Sequence, residues 1–188
     1  DLSSISSGPT VPDETSFNDV KRILLKYKLW NNIHNSIKAH IESGIFDKSL
    51  ETPDKTNRVF LNVENTLIGS NNLCLKSIDT LCKKKDINSK IWKTNIEGDV
   101  QVIANNFVRD LKKKNYKKPI ILISGGESTV KIKGKGKGGR NQEFALHFIK
   151  NIRKSFSNLK FTLLSAGTDG RDGPTNAAGA IVNDKSFD

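Results

Sequence analysis

Ten of the fourteen glycines in this 188-residue chain fall in two stretches of its last third, and each stretch follows an apolar run. The first, residues 120–141, reads IILISGGESTVKIKGKGKGGRN and holds Gly125, Gly126, Gly134, Gly136, Gly138 and Gly139. The second, residues 165–179, reads SAGTDGRDGPTNAAG and holds Gly167, Gly170, Gly173 and Gly179. Glycine serves where the backbone turns with positive φ or approaches a ligand closely. Two such loops at the carboxyl ends of apolar strands are where open α/β sheets bind ligands.

The rest of the chain supplies the elements such a sheet needs. Ser16-x-x-Asp19 reads as a helix start, with Val20, Ile23, Leu24 and Tyr27 on one face. A second helix carries Ile33, Ile37 and Ile41, with Gly44 past its end. Residues 50–58 read as a polar linker and 58–64, RVFLNVE, as a short strand. Residues 71–84 read as a helix using Cys74, Ile78 and Leu81, and residues 91–94 as a strand. The clearest helix spans 98–114, where Val100, Ile103, Ala104, Phe107, Val108 and Leu111 follow i, i+3, i+4, i+7 spacing. Residues 118–124, KPIILIS, form a continuous apolar run, the pattern of a strand buried on both faces. A shorter strand at 129–133, a helix at 140–156 facing inward through Ala145, Phe148, Ile149 and Ile152, and strands at 160–166 and 178–182 complete the chain. Strand and helix alternate from residue 58 on, which predicts an α/β fold, a layered sandwich around a mostly parallel or mixed sheet.

Composition narrows the classes. Net charge is +11, with lysine clusters at 83–85, 112–114, 117–118 and 133–137. Such a surface attracts anions, from nucleotides and phosphorylated metabolites to nucleic acid. Only the cluster at 133–137 is interleaved with glycine; the others read as solvated helix faces and ends. No apolar run is long enough for a membrane-spanning helix, and residues 1–10 have neither the basic start nor the apolar core of a signal peptide. Cys74 and Cys82 stand two helical turns apart, too far to pair, so they read as reduced core thiols of an intracellular chain. The chain contains no methionine and begins at Asp1, which reads as a segment of a longer protein.

Arg140 opens a helix directly behind the glycines, where free N–H groups and a guanidinium fork suit a carboxylate or phosphate. Lys135 and Lys137 add charge beside it. Residues 168–175, TDGRDGPT, set Asp169 and Asp172 in a tight loop after an apolar strand. An aspartate there can act as general base or hold Mg²⁺ through oxygen, and Asp-Gly is also plain turn chemistry. Glu127, after Gly125-Gly126, could bind metal or cap a loop. Gly134-x-Gly136-x-x-Gly139 spells a dinucleotide fingerprint, without a clear acidic partner further on. The three histidines are scattered with no matching ligand set, and Trp30 and Trp92 read as packing residues.

SGGESTVKIKGKGKGGRNQEFAL and SAGTDGRDGPTNAAGAIV closely resemble the two signature stretches of the MOFRL domain of class II glycerate kinases. ISSGPTVPDETSF, residues 5–17, is similar to the end of that family's larger N-terminal domain. The resemblance implies that 1–115 is the C-terminal part of the N-terminal glycerate kinase domain with connecting helices. Residues 116–188 would be a MOFRL domain, incomplete at its C-terminus. It further implies ATP-dependent phosphorylation of D-glycerate, giving 2-phosphoglycerate, with Mg²⁺ and with the site in an interdomain cleft. Arg140 and Asp169 resemble residues of the family's active site; Ser7, Gly125, Gly126, Glu127, Gly138, Gly139, Asn141, Thr168 and Asp172 are the accompanying substrate- or phosphate-binding candidates. No metal ligand set is assigned. The family's glycine-flanked lysine belongs nearer the N-terminus than this chain reaches, so the segment alone is expected to be inactive. The expected partners are D-glycerate and ATP, with a homodimer allowed and neither nucleic acid nor membrane involved. The expected compartment is the cytoplasm, with the mitochondrion also compatible.

Three rival readings remain open at this stage. An NAD(P)H-dependent hydroxypyruvate reductase rests on the glycine spelling and on a label some relatives carry. A basic nucleic-acid-binding module rests on the sequence pI of 9.7. A degenerate paralogue has one hint, Asn176, which stands where many family members have Asp.

Overall fold

A computed structural model describes residues 2, 3, 5, 8–114 and 116–186 of the chain. Two compact units divide between Leu67 and Ile68. The position between residues 115 and 116 falls within the second unit, between its second helix and second strand.

The first unit is helical. Helix α1 (Phe17–Lys26) starts where its capping box predicts: the Ser16 hydroxyl accepts from the Asp19 N–H, and the Asp19 carboxylate accepts from the Ser16 N–H at 3.0 Å. Helix α2 (Asn35–Phe46) is capped by His34, whose Nδ1 accepts from the Ser36 N–H. Gly44 lies inside α2 rather than past its end, and a Cβ there would collide with the Phe17 ring. The missing side chain is what lets α1 and α2 touch at Phe17, which also meets His40 edge-on at 5.3 Å. Residues 58–64 do not form a strand. The Asn57 side chain accepts from the Val59 N–H at 3.0 Å and starts a 3₁₀ turn, Arg58–Asn62. The alternating pattern of RVFLNVE is overruled by this local cap.

The second unit holds both sheets. Helix α3 (Asn71–Lys84) forms as expected but buries Leu75 and Cys82, leaving Cys74, Ile78 and Leu81 exposed. Asp79 explains the rotation: it lies on the inward face, where it accepts from Ser89 Oγ at 2.6 Å. Strand β1 (Ser89–Asp99) is far longer than the predicted 91–94. It pairs in parallel with β2 (Ile121–Thr129), from Ser89 opposite Ile121 to Asp99 opposite Thr129. Helix α4 (Val100–Lys113) makes the crossover between them, capped by Asp99, whose Oδ1 accepts from Gln101 N at 2.9 Å. Both α3 and α4 pack on this pair. Only Ile123 of β2 is fully buried and Ile121 is 43% exposed, so the strand is not covered on both faces as its apolar run predicted. Residues 129–133 form no separate strand, since β2 itself runs through to Thr129.

Helix α5 (Arg140–Ser155) follows, then β3 (Thr162–Ala166) and β4 (Gly179–Asn183), an antiparallel pair. The fold class is therefore α/β with mixed strand pairing, and the second glycine-rich stretch is the β3–β4 connection. Ala145, Phe148, Ile149 and Ile152 of α5 are buried, as their spacing predicts, against Phe107 and Val108 of α4 and Val182 of β4. Each large apolar side chain so buried contributes on the order of 2 kcal/mol. Trp92, Phe107, Phe148 and Phe161 form a run of ring contacts with successive centroids 4.4, 5.6 and 5.4 Å apart. This core fixes the axis of α5, and with it the place of the helix start.

Candidate functional site

The first turn of α5 is where the two glycine-rich stretches meet. Gly139 is the N-cap and has no side chain to offer the free N–H groups behind it. Asp172 supplies the missing acceptor from 30 residues further along the chain. Its Oδ2 accepts from the Gln142 N–H at 2.8 Å and from Gln142 Nε2 at 3.1 Å. Its Oδ1 accepts from the Asn141 N–H at 3.0 Å and from Asn141 Nδ2 at 3.2 Å. Asp172 is 1% exposed. Burial pushes its carboxyl pKa up, and the hydrogen bonds from Asn141 and Gln142 outweigh it, so the pKa ends below the usual value.

The network continues outward on both sides. Asn141 Oδ1 accepts from Ser165 Oγ on β3 at 2.8 Å. Gln142 Nε2 also donates to Thr175 Oγ1 at 3.1 Å, and Thr175 Oγ1 donates to the Asp172 carbonyl at 2.7 Å. The backbones close tightly around it. A Cβ on Gly139 would overlap the Asp172 side chain, and one on Gly173, at φ +61°, would overlap the Gly138 carbonyl oxygen. The helix start is thus an anion site, as its position behind the glycines predicts, but the anion is the chain's own Asp172.

Arg140 and Asp169 stand at the edges of this network. Arg140 opens α5 and is half-buried; its Nη2 lies 3.5 Å from Glu127 Oε1 on β2, whose side chain is 77% exposed. Asp169 is exposed in the turn after β3, where Gly167 N bonds the Ala178 carbonyl and Gly170 N bonds the Gly167 carbonyl. Its Oδ1 accepts from the Arg171 N–H at 3.2 Å. Thr168 beside it is exposed.

The remaining predicted residues divide. Gly125 and Gly126 lie within β2, not in a loop beyond it. Side chains there would meet the Asn71 carboxamide and the Ile96 backbone, and Gly126 has φ +145°. Their smoothness serves the joining of β2 to β1 and α3, at a register shift between Lys93 and Ile96. Gly138 has open space where a Cβ would be. Ser7 lies outside the described residues. Gln142, Thr175 and Ser165 belong to the network and were not foreseen from the sequence. The spacing of Gln142 and Asn141 behind Gly139 was the available signal, since N2 and N3 donors need an acceptor from somewhere.

The dinucleotide spelling finds no support in this geometry. Residues 130–139 are irregular and separate β2 from α5, and Gly134 and Gly136 approach no other chain segment closely. In the dinucleotide fold the glycines form the tight strand-to-helix turn itself. Among the described residues no group of three or more His, Cys, Asp or Glu side chains could hold a metal ion, and no helix is long and apolar enough to cross a membrane.

Residues 120–188 match the model of the MOFRL family. Over this segment the chain is similar to that family. Residues 1–42 match a domain family of unknown function (DUF4147). Beyond the MOFRL segment, the chain is 38% identical to a glycerate 2-kinase of Pyrococcus horikoshii over 99% of its own length and 42% of that protein. It is 36% identical to a D-glycerate 2-kinase of Thermotoga maritima over 97% of its length and 41% of that protein. A solved glycerate kinase of Thermotoga maritima superposes with a TM-score of 0.72 at 35% identity, covering 97% of this chain and 41% of that one. The chain therefore spans about two fifths of the length of the relatives it matches.

Proposed function

We propose that this chain is part of an ATP-dependent kinase that phosphorylates D-glycerate, yielding 2-phosphoglycerate. Similarity to glycerate 2-kinases along nearly the whole chain supports the substrate class. The observation that carries the site is the division of labour around Asp172. The donors at the helix start are consumed internally, while Arg140 and Asp169 are left at the rim with side chains partly or fully exposed.

Phosphoryl transfer asks for positioning and charge neutralisation more than for covalent chemistry by the protein. Arg140 holds an anionic oxygen in its planar fork, either the glycerate carboxylate or the transferring phosphoryl group. Asp169 accepts the proton of the attacking hydroxyl or supplies one oxygen to Mg²⁺. Nucleotide-bound Mg²⁺ is held by one or two carboxylates together with phosphate oxygens and water, so a single exposed Asp fits that mode without a larger cluster. When bound, ATP supplies the phosphoryl group and Mg²⁺ neutralises its developing charge.

A coupled assay of the full-length protein tests this. D-glycerate and ATP should give 2-phosphoglycerate, and hydroxypyruvate with NADH should give no turnover. Arg140→Ala and Asp169→Asn should each lower kcat/KM by about 100-fold or more. Turnover of hydroxypyruvate with NADH alone overturns the reading in favour of a reductase, and near-normal kcat/KM in both variants overturns the roles.

A further inference from the structure

We propose that Asp172 is a positioning residue, whose carboxylate fixes Arg140 relative to the loop that carries Asp169. The catalytic consequence rests on the kinase reading; the fastening itself rests on geometry alone.

A carboxylate has about four lone-pair sites. Asp172 fills them with four donors, two on each oxygen, all from Asn141 and Gln142. It is the one buried charged side chain among the described residues. It therefore has neither the exposure nor the spare capacity to touch a substrate, which removes it from the binding residues expected from the sequence. What it does have is a short, rigid link to both motifs. Its donors are the two residues that follow Arg140. Its own backbone lies three residues after Asp169, in a loop closed by the Gly167–Ala178 and Gly170–Gly167 bonds.

The link has no slack. Asn141 is held on its far side by Ser165 of β3, and Gln142 by Thr175. Gly139 and Gly173 bring the two backbones into contact that admits no Cβ. Arg140 cannot shift along the helix axis without breaking several of these bonds together. Misplacement of a catalytic group by about 1 Å can cost about 100-fold in rate. An Asn at 172 keeps the shape but turns an NH₂ toward two N–H donors, so half the link becomes repulsive.

The test uses the full-length protein with Asp172→Asn, Arg140→Ala and the double variant. Well below the unfolding midpoint, Asp172→Asn should lower kcat by about 10–100-fold while KM for D-glycerate stays within about threefold. In the Arg140→Ala background the same change should cost less than about threefold, because the residue it acts through is gone. Unchanged kcat, or losses that multiply fully in the double variant, overturn the proposal. If Asp172→Asn does not fold, Gln142→Met removes two bonds of the same link and should show the same suppression, its absence being equally fatal. Amide hydrogen exchange separates the two layers of the argument. Exchange at Asn141 and Gln142 should quicken in the variant while Phe148 and Ile149 stay protected. A wild-type protein without glycerate kinase activity sinks the functional reading alone; unchanged exchange at Asn141 and Gln142 sinks the link itself.

Discussion

Asp172 Oδ2 accepts from the backbone N–H of Gln142 at 2.8 Å, so a residue of the β3–β4 loop caps the helix that begins at Arg140. The bond joins the two glycine-rich stretches at their most crowded point, between Gly139 and Gly173. It also makes the geometry of this region depend on one ionised group.

That dependence has a definite sign with pH. The Asp172 carboxyl titrates below its ordinary value of 3.8, because the hydrogen bonds favour the ionised form more than burial opposes it. A depressed folded-state pKa contributes stability above the unfolded value, and that contribution is lost as pH falls through the folded value. Stability should therefore decline as pH drops below about 4. Asp13, Asp19, Asp47, Asp54 and Asp79 are depressed as well, each by local hydrogen bonds, so Asp172→Asn should make the acid slope shallower without abolishing it. Chemical denaturation from pH 2 to 6, on wild type and variant, measures the two slopes. Equal slopes would mean that Asp172 titrates alike in folded and unfolded chains.

Glu127 should behave differently. Its contact with Arg140 spans 3.5 Å with the carboxylate 77% exposed, the geometry of a weak surface ion pair. Glu127→Gln should change stability by less than about 1 kcal/mol. It should also release the Arg140 fork from a competing internal anion. On the kinase reading, KM for the anionic substrate should fall or stay level, with kcat preserved. Steady-state kinetics on the full-length variant decide this, and a large loss of kcat would place Glu127 in the chemistry itself.

The sequence was most legible where period and local chemistry coincide. The inward faces of α4 and α5 follow from their spacing, and the start of α1 follows from Ser16 and Asp19. Legibility failed where a distant partner decides. Residues 95–99, NIEGD, carry no strand pattern, yet they extend β1 because β2 lies beside them. Gly125 and Gly126 looked like a loop because nothing local reveals that Ile96 and Asn71 occupy the space above them. The site divides the same way. Arg140 and Asp169 stood out through their glycine neighbours. The task of Asp172 stayed hidden because its donors lie about 30 residues earlier in the chain.

Adjacent glycines at 138 and 139 offer the sharpest check on this packing. Neither has positive φ, so backbone strain does not separate them. Gly139 has extended φ of −148°, which any residue adopts. Their surroundings differ. A Cβ at Gly138 meets nothing within 4 Å, whereas one at Gly139 overlaps the Asp172 side chain and backbone. Gly138→Ala should therefore leave stability within about 0.5 kcal/mol of wild type. Gly139→Ala should cost about 1–3 kcal/mol, since it must push Asp172 off the helix start or move the loop. Thermal melts of the two variants measure the contrast. Trimming the side chain separates the two contacts: in an Asp172→Ala background, Gly139→Ala should lose the part of its penalty due to the carboxylate and keep the part due to the Asp172 backbone. Equal penalties in the two backgrounds would show that the loop backbone, not the Asp172 carboxylate, reserves the space above Gly139.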